Sequence, residues 1–87
     1  MKLELFFFAG CPHAGPAREL LRRCLADAGL PDVVQEHEGD HPSPTIRVDG
    51  TDVMGDPPST GRSCRLELPT EARIVAALRR AQAPVRR

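Results

Sequence analysis

The chain of 87 residues has no tryptophan, no tyrosine and three phenylalanines. Too few aromatic side chains are present to build a stacking surface for nucleic-acid bases. Lys2 is the only lysine, and the 12 basic residues are balanced by 12 acidic ones. At zero formal net charge there is no basic field to hold nucleic acid, and no block of like charge reads as an interaction tail. No apolar run approaches the ~20 residues that a membrane-spanning helix needs. Three cysteines are an odd number for a disulfide scaffold, and their positions at 11, 24 and 64 match no zinc pattern. Paired acid/base carboxylates, a catalytic triad and a glycine-rich phosphate loop are all missing, and nothing calls for a cofactor. What fits is a cytoplasmic chain with one or two working thiols and no nucleic-acid or membrane partner.

The length corresponds to one domain, expected over 1–82, with a disordered tail at 83–87. Its core is small, because a domain of this size buries only about 60% of its unfolded surface. Residues 2–9 (KLELFFFA) read as a buried strand, apolar on both faces around Phe6, Phe7 and Phe8. Phe8-Ala9-Gly10-Cys11 has the form of a lipoprotein cleavage box. The apolar stretch before it is at the short limit for a signal and contains Glu4, so the segment is read as structure.

Ala17, Leu20, Leu21, Cys24, Leu25 and Ala28 fall on one helical face, with Arg18, Glu19, Arg22 and Arg23 on the other. Pro16 suits the first turn of that helix, and Gly29-Leu30-Pro31 suits its end. Residues 32–38 are a second strand candidate. Residues 45–48 and 51–54 form a hairpin around Asp49-Gly50, a strong signal for a type I′ turn. An irregular loop follows over 55–63. A last helix starts at Pro69 or Thr70 and runs to about Ala81, with Val75 and Leu78 inward and Ala72, Ile74 and Ala81 flanking them. The order is β-α-β-β-β-α. It implies an α/β domain with a four-stranded mixed sheet, two parallel strands from the first unit and antiparallel strands from the hairpin.

Cys11 sits between the first strand and the first helix, where the positive end of the helix dipole and its free N–H groups favour thiolate over thiol. His13 adds a positive charge or a hydrogen bond, and Pro12 stiffens the turn. The competing reading is a half-buried cysteine packed under a loop. Cys24, on the apolar face, reads as a core residue. His37 and His41 read as surface histidines.

Cys11-Pro12-His13-Ala14 resembles the Cys-Pro-His-Cys motif of the disulfide-oxidase branch of the thioredoxin superfamily, with Ala14 replacing the last cysteine. Ser43-Pro44-Thr45 before a strand resembles that superfamily's cis-proline motif. The chain is most similar to small bacterial thioredoxin-family proteins often labelled alkylmercury-lyase-like, through Phe8-Ala9-Gly10-Cys11-Pro12, Ser43-Pro44-Thr45-Ile46-Arg47-Val48-Asp49-Gly50 and Ser63-Cys64-Arg65. The resemblance covers 3–78. The arginine bias over lysine, with abundant alanine, proline and glycine, accords with a GC-rich bacterial source.

The resemblance implies a minimal thioredoxin-like fold from which the helix between the second and third strands is deleted. The sheet face left bare is then either polar and solvated or buried in a homodimer. It also implies a Cys11 thiolate opposite a cis Pro44, acting on a protein or small-molecule thiol or disulfide. With no cysteine at 14, resolution falls to Cys64 or to an external thiol. Alternatively, Cys64 packs with Leu66 and Leu68 as one inward face of an extended segment. Two other functions stay open: soft-metal binding of Hg(II) or Cu(I) by Cys11 and Cys64, and a redox-inactive partner module.

Overall fold

Alternation in the first strand separates leucines from a mixed set, and this sets the two faces of the sheet. In the computed structural model, residues 1–57 and 61–82 are described. The elements run β1 (Leu3–Phe7), α1 (Ala14–Asp27), β2 (Gln35–Glu38), β3 (Pro42–Ser43), β4 (Thr45–Val48), β5 (Thr51–Asp52), β6 (Ser63–Cys64) and α2 (Glu71–Gln82). Four strands form a mixed sheet in the order β2-β1-β4-β5. β1 is parallel to β2 and antiparallel to β4, and β4 is antiparallel to β5. No helix lies between β2 and β4. A second, two-stranded sheet pairs β3 with β6 in parallel. The tail expected at 83–87 and residues 58–60 of the expected loop lie outside the described residues.

Both helices pack on one face of the sheet. Leu3, Leu5, Ile46, Val48 and Val53 meet Leu21, Cys24 and Leu25 of α1 and Ile74, Ala77 and Leu78 of α2 in one apolar cluster. On α2 the buried centre is Ile74, Ala77 and Leu78; Val75 is half-buried and Ala72 is exposed, so the inward face is rotated from the one expected. α1 ends in a Schellman motif. Gly29 adopts a φ of 70°, its N–H donates to the Ala26 carbonyl at 3.1 Å, and the Leu30 N–H donates to the Leu25 carbonyl at 2.9 Å. The hairpin turn has positive φ at both Asp49 (51°) and Gly50 (83°), as a type I′ turn requires.

The strand expected to be apolar on both faces is apolar on one. Leu3 and Leu5 are buried in the core with half-buried Phe7 packed against it, whereas Phe6, on the opposite face, and Phe8 are half-buried outside it. Each phenylalanine has a guanidinium over its ring: Arg47 over Phe6 at 4.5 Å, Arg18 over Phe7 at 5.4 Å and Arg62 over Phe8 at 5.3 Å. The face away from the helices carries Glu4, Phe6, Thr45, Arg47 and Asp52, by alternation and register. His37 and His41 are part-exposed, and both pack against Phe6. His37 stacks on Phe6 at 4.6 Å and bonds the Glu4 carboxylate at 3.1 Å, and His41 meets the Phe6 ring edge at 5.1 Å. β2 is shorter than expected, beginning at Gln35 rather than at 32.

Candidate functional site

Strand direction determines which loops can meet. β1 runs out at Phe7, and antiparallel β4 begins at Thr45 opposite Phe6. The turn after β1 and the segment before β4 therefore share one end of the sheet. Cys11 lies in that turn. Its N–H donates to the Phe8 carbonyl at 3.2 Å, and its own carbonyl accepts from Ala14, the first residue of α1, at 3.3 Å. Gly10 makes the turn with a φ of 85°. Cys11 is 9% exposed, whereas Pro12 and His13 are exposed.

The two helix starts differ. At α2, Thr70 accepts the Arg73 N–H on its hydroxyl at 3.2 Å and Glu71 sits in the first turn, opposing the positive end of the dipole. At α1, His13 occupies the cap position without a side-chain hydrogen bond, and no acidic residue lies in the first turn. The positive end beside the Cys11 turn is left uncompensated.

The Ser43–Pro44 peptide bond is cis. Pro44 and Ser43 are fully buried, and the Ser43 hydroxyl has no hydrogen-bond partner. Thr45 donates its hydroxyl to the Pro42 carbonyl at 2.8 Å. β6 runs alongside, with Ser63 opposite Pro42 and Cys64 opposite Ser43. The Arg65 N–H donates to the Ser43 carbonyl at 3.0 Å, and the Gly61 N–H donates to the Asp40 carbonyl at 3.2 Å. Arg62 reaches both Asp40, at 3.4 Å, and the ring of Phe8, the residue whose carbonyl holds Cys11.

The Cys11 turn and the Ser43–Pro44 segment thus lie at the same end of the sheet, and the Cys64 strand pairs beside Ser43. Cys11 and Cys64 are both free thiols, the first buried and the second exposed. The alternative inward face of Cys64, Leu66 and Leu68 does not form: Leu66 is 101% and Leu68 39% exposed. Arg65 turns inward instead, toward Asp52, Asp56 and Thr45. Its Nη1 donates to Asp52 Oδ2 at 2.8 Å and to Thr45 Oγ1 at 3.2 Å, and its Nη2 pairs with the Asp56 carboxylate. Cys24 is buried in the core, where desolvation, then Glu71, pushes its thiol up; Arg23 opposes this weakly. Among the described residues no group of three or more His, Cys, Asp or Glu side chains is gathered to hold a metal ion. No helix in them is long and apolar enough to cross a membrane.

The residues that sequence reasoning missed are Arg62 and Arg65. The signal for Arg65 was its adjacency to Cys64 together with two acidic residues, Asp52 and Asp56, flanking the preceding turn.

The chain matches no family model, no curated protein and no solved structure.

Proposed function

We propose that this chain is a minimal thioredoxin-like domain that acts as a thiol–disulfide oxidoreductase through Cys11, with Cys64 as the resolving thiol. The observation that supports it is the placement of the Cys11 turn and the Ser43–Pro44 segment at one end of the sheet, with strand β6 paired beside Ser43, next to an uncapped helix start. The residues that carry the resemblance to the thioredoxin superfamily, Cys11-Pro12-His13 and Ser43-Pro44-Thr45, lie in segments at that same end, which supports the reading.

The chemistry is thiol–disulfide exchange. Cys11, as thiolate, attacks one sulfur of a substrate disulfide; a new S–S bond forms, the old one breaks, and the departing sulfur leaves as thiolate. Cys64, as thiolate, attacks the Cys11 sulfur and releases the second half of the substrate. The substrate gains two electrons, Cys11 and Cys64 become a disulfide, and an external dithiol reduces them again. Cys24, core-buried with its thiol pushed up, stays out of the exchange.

Oxidised glutathione tests this reading. The wild type should release both glutathione halves and end with a Cys11–Cys64 disulfide. Cys64→Ser should stop at a stable Cys11–glutathione adduct. Absence of that adduct contradicts the redox reading. Mercury(II) held by two thiols and lost in either Cys→Ser variant, without glutathione turnover, would replace it with the soft-metal reading. A Cys11→Ser variant altered in stability alone would favour the partner module.

A further inference from the structure

We propose that Arg65 is a positioning residue, a latch that holds Cys64 at the Cys11 end of the sheet; the inference rests on the redox reading above. The stretch 61–68 (GRSCRLEL) has no apolar anchor. Every residue in it except Arg65 is exposed, including Leu66 and Leu68. Strand β6 itself is two residues long and pairs with a strand of two. Such a short pairing cannot hold a segment by backbone bonds alone.

Arg65 supplies the missing hold. Its side chain is 9% exposed and lies against Asp52, itself 7% exposed, with Thr45 and Asp56 completing the set. The three acceptors come from β4, from β5 and from the turn after it, so one guanidinium ties β6 to both strands of the hairpin. Both carboxylate oxygens of Asp52 are engaged: Oδ1 accepts the Met54 N–H at 2.9 Å while Oδ2 accepts from Arg65. A planar fork of donors meets this geometry, and the point charge of lysine does not. Arg65 is the next residue to Cys64, and its N–H bonds the Ser43 carbonyl, so the latch fixes the thiol's backbone directly. The second attachment, Arg62 to Asp40, is 3.4 Å long between side chains 58% and 78% exposed, and holds weakly.

The test uses the full chain with oxidised glutathione, following the Cys11–Cys64 disulfide by peptide mass and the segment by amide hydrogen exchange. Fold integrity is read from protection of Cys24 against alkylation. Arg65→Lys and Arg65→Met should keep Cys24 protected, lose exchange protection at the Arg65 N–H, and close the disulfide about tenfold more slowly, accumulating Cys11–glutathione adduct. Arg62→Ala should slow closure less than about threefold. Wild-type closure rates and wild-type protection in both Arg65 variants overturn the latch. Exposure of Cys24 in both overturns it too, since Arg65 would then support the whole domain. Should wild type form no Cys11–Cys64 disulfide, the redox reading fails, and exchange alone decides the latch. Protection lost over 61–67 only supports the latch, and unchanged protection overturns it.

Discussion

The two faces of the sheet are held by different physics. On one, leucines of β1 pack against Leu21, Leu25, Ile74 and Leu78, several with no exposed surface. On the other, guanidinium groups do the joining: Arg47 over Phe6, and Arg65 among Asp52, Asp56 and Thr45. Apolar burial is non-directional and makes the domain fold. Charge-assisted hydrogen bonds are directional and specify where a segment lies. The Cys64 strand is held by the second kind of contact, whereas Cys11 is itself buried beside Ala14 and Ala17.

Removing core volume is the strongest way to break the helix face. Leu25→Ala, at a position with no exposure, should cost about 3 kcal/mol, and urea unfolding should show one earlier, global transition. A loss under about 1 kcal/mol would mean that the helix face is not the main support. On the other face, Arg65→Met should cost about 1–2 kcal/mol in the same assay. The penalty is capped because a segment free to peel away lets water reach Asp52. A loss matching that of Leu25→Ala would erase the contrast between the faces. Gly29→Ala isolates a purely conformational effect, since nothing lies within 4 Å of an added Cβ and φ is 70°. It should cost about 1 kcal/mol, read as a lower melting temperature.

The smallest effect is expected at the helix-side rim. Arg18 donates two hydrogen bonds to Glu36, at 2.9 and 2.8 Å, between partly exposed side chains. Arg18→Ala should cost about 0.5 kcal/mol. The pair also leaves a pH signature. The Arg18 hydrogen bond holds the Glu36 carboxyl below its ordinary value. Its contribution is therefore complete above the unfolded value, about 4.3, and is lost as pH falls through the lower folded value. In Arg18→Ala that acid-side loss should shrink, as acid unfolding curves of the two proteins will show.

Elements governed by near neighbours were legible in the sequence. Gly29 with Leu30 marked the end of α1, Asp49-Gly50 marked the hairpin, and the spacing of Leu21, Cys24 and Leu25 marked the inward face. Phe7 packs against the core, but Phe6 and Phe8 do not belong to it, and arginines distant in sequence, Arg47 and Arg62, cover their rings. In the Cys64 segment two readings were open, and the inward face of Cys64, Leu66 and Leu68 does not form. The inward residue is set by Asp52 and Asp56, 13 and 9 positions earlier, which no local periodicity records. Cys11 and Pro44 were legible as individual residues; what brings Cys64 beside Ser43 was not, because the β3–β6 pairing rests on those same distant contacts.

The redox role of Cys11 is tested most directly by the pairing state of Cys11 and Cys64, read by mass spectrometry of iodoacetamide-labelled peptides after mild oxidation, with and without reductant. Thiol–disulfide exchange through Cys11 and Cys64 should give one Cys11–Cys64 disulfide that reductant opens, with Cys24 unmodified until the chain unfolds. Free labelling of both Cys11 and Cys64 after oxidation would contradict it.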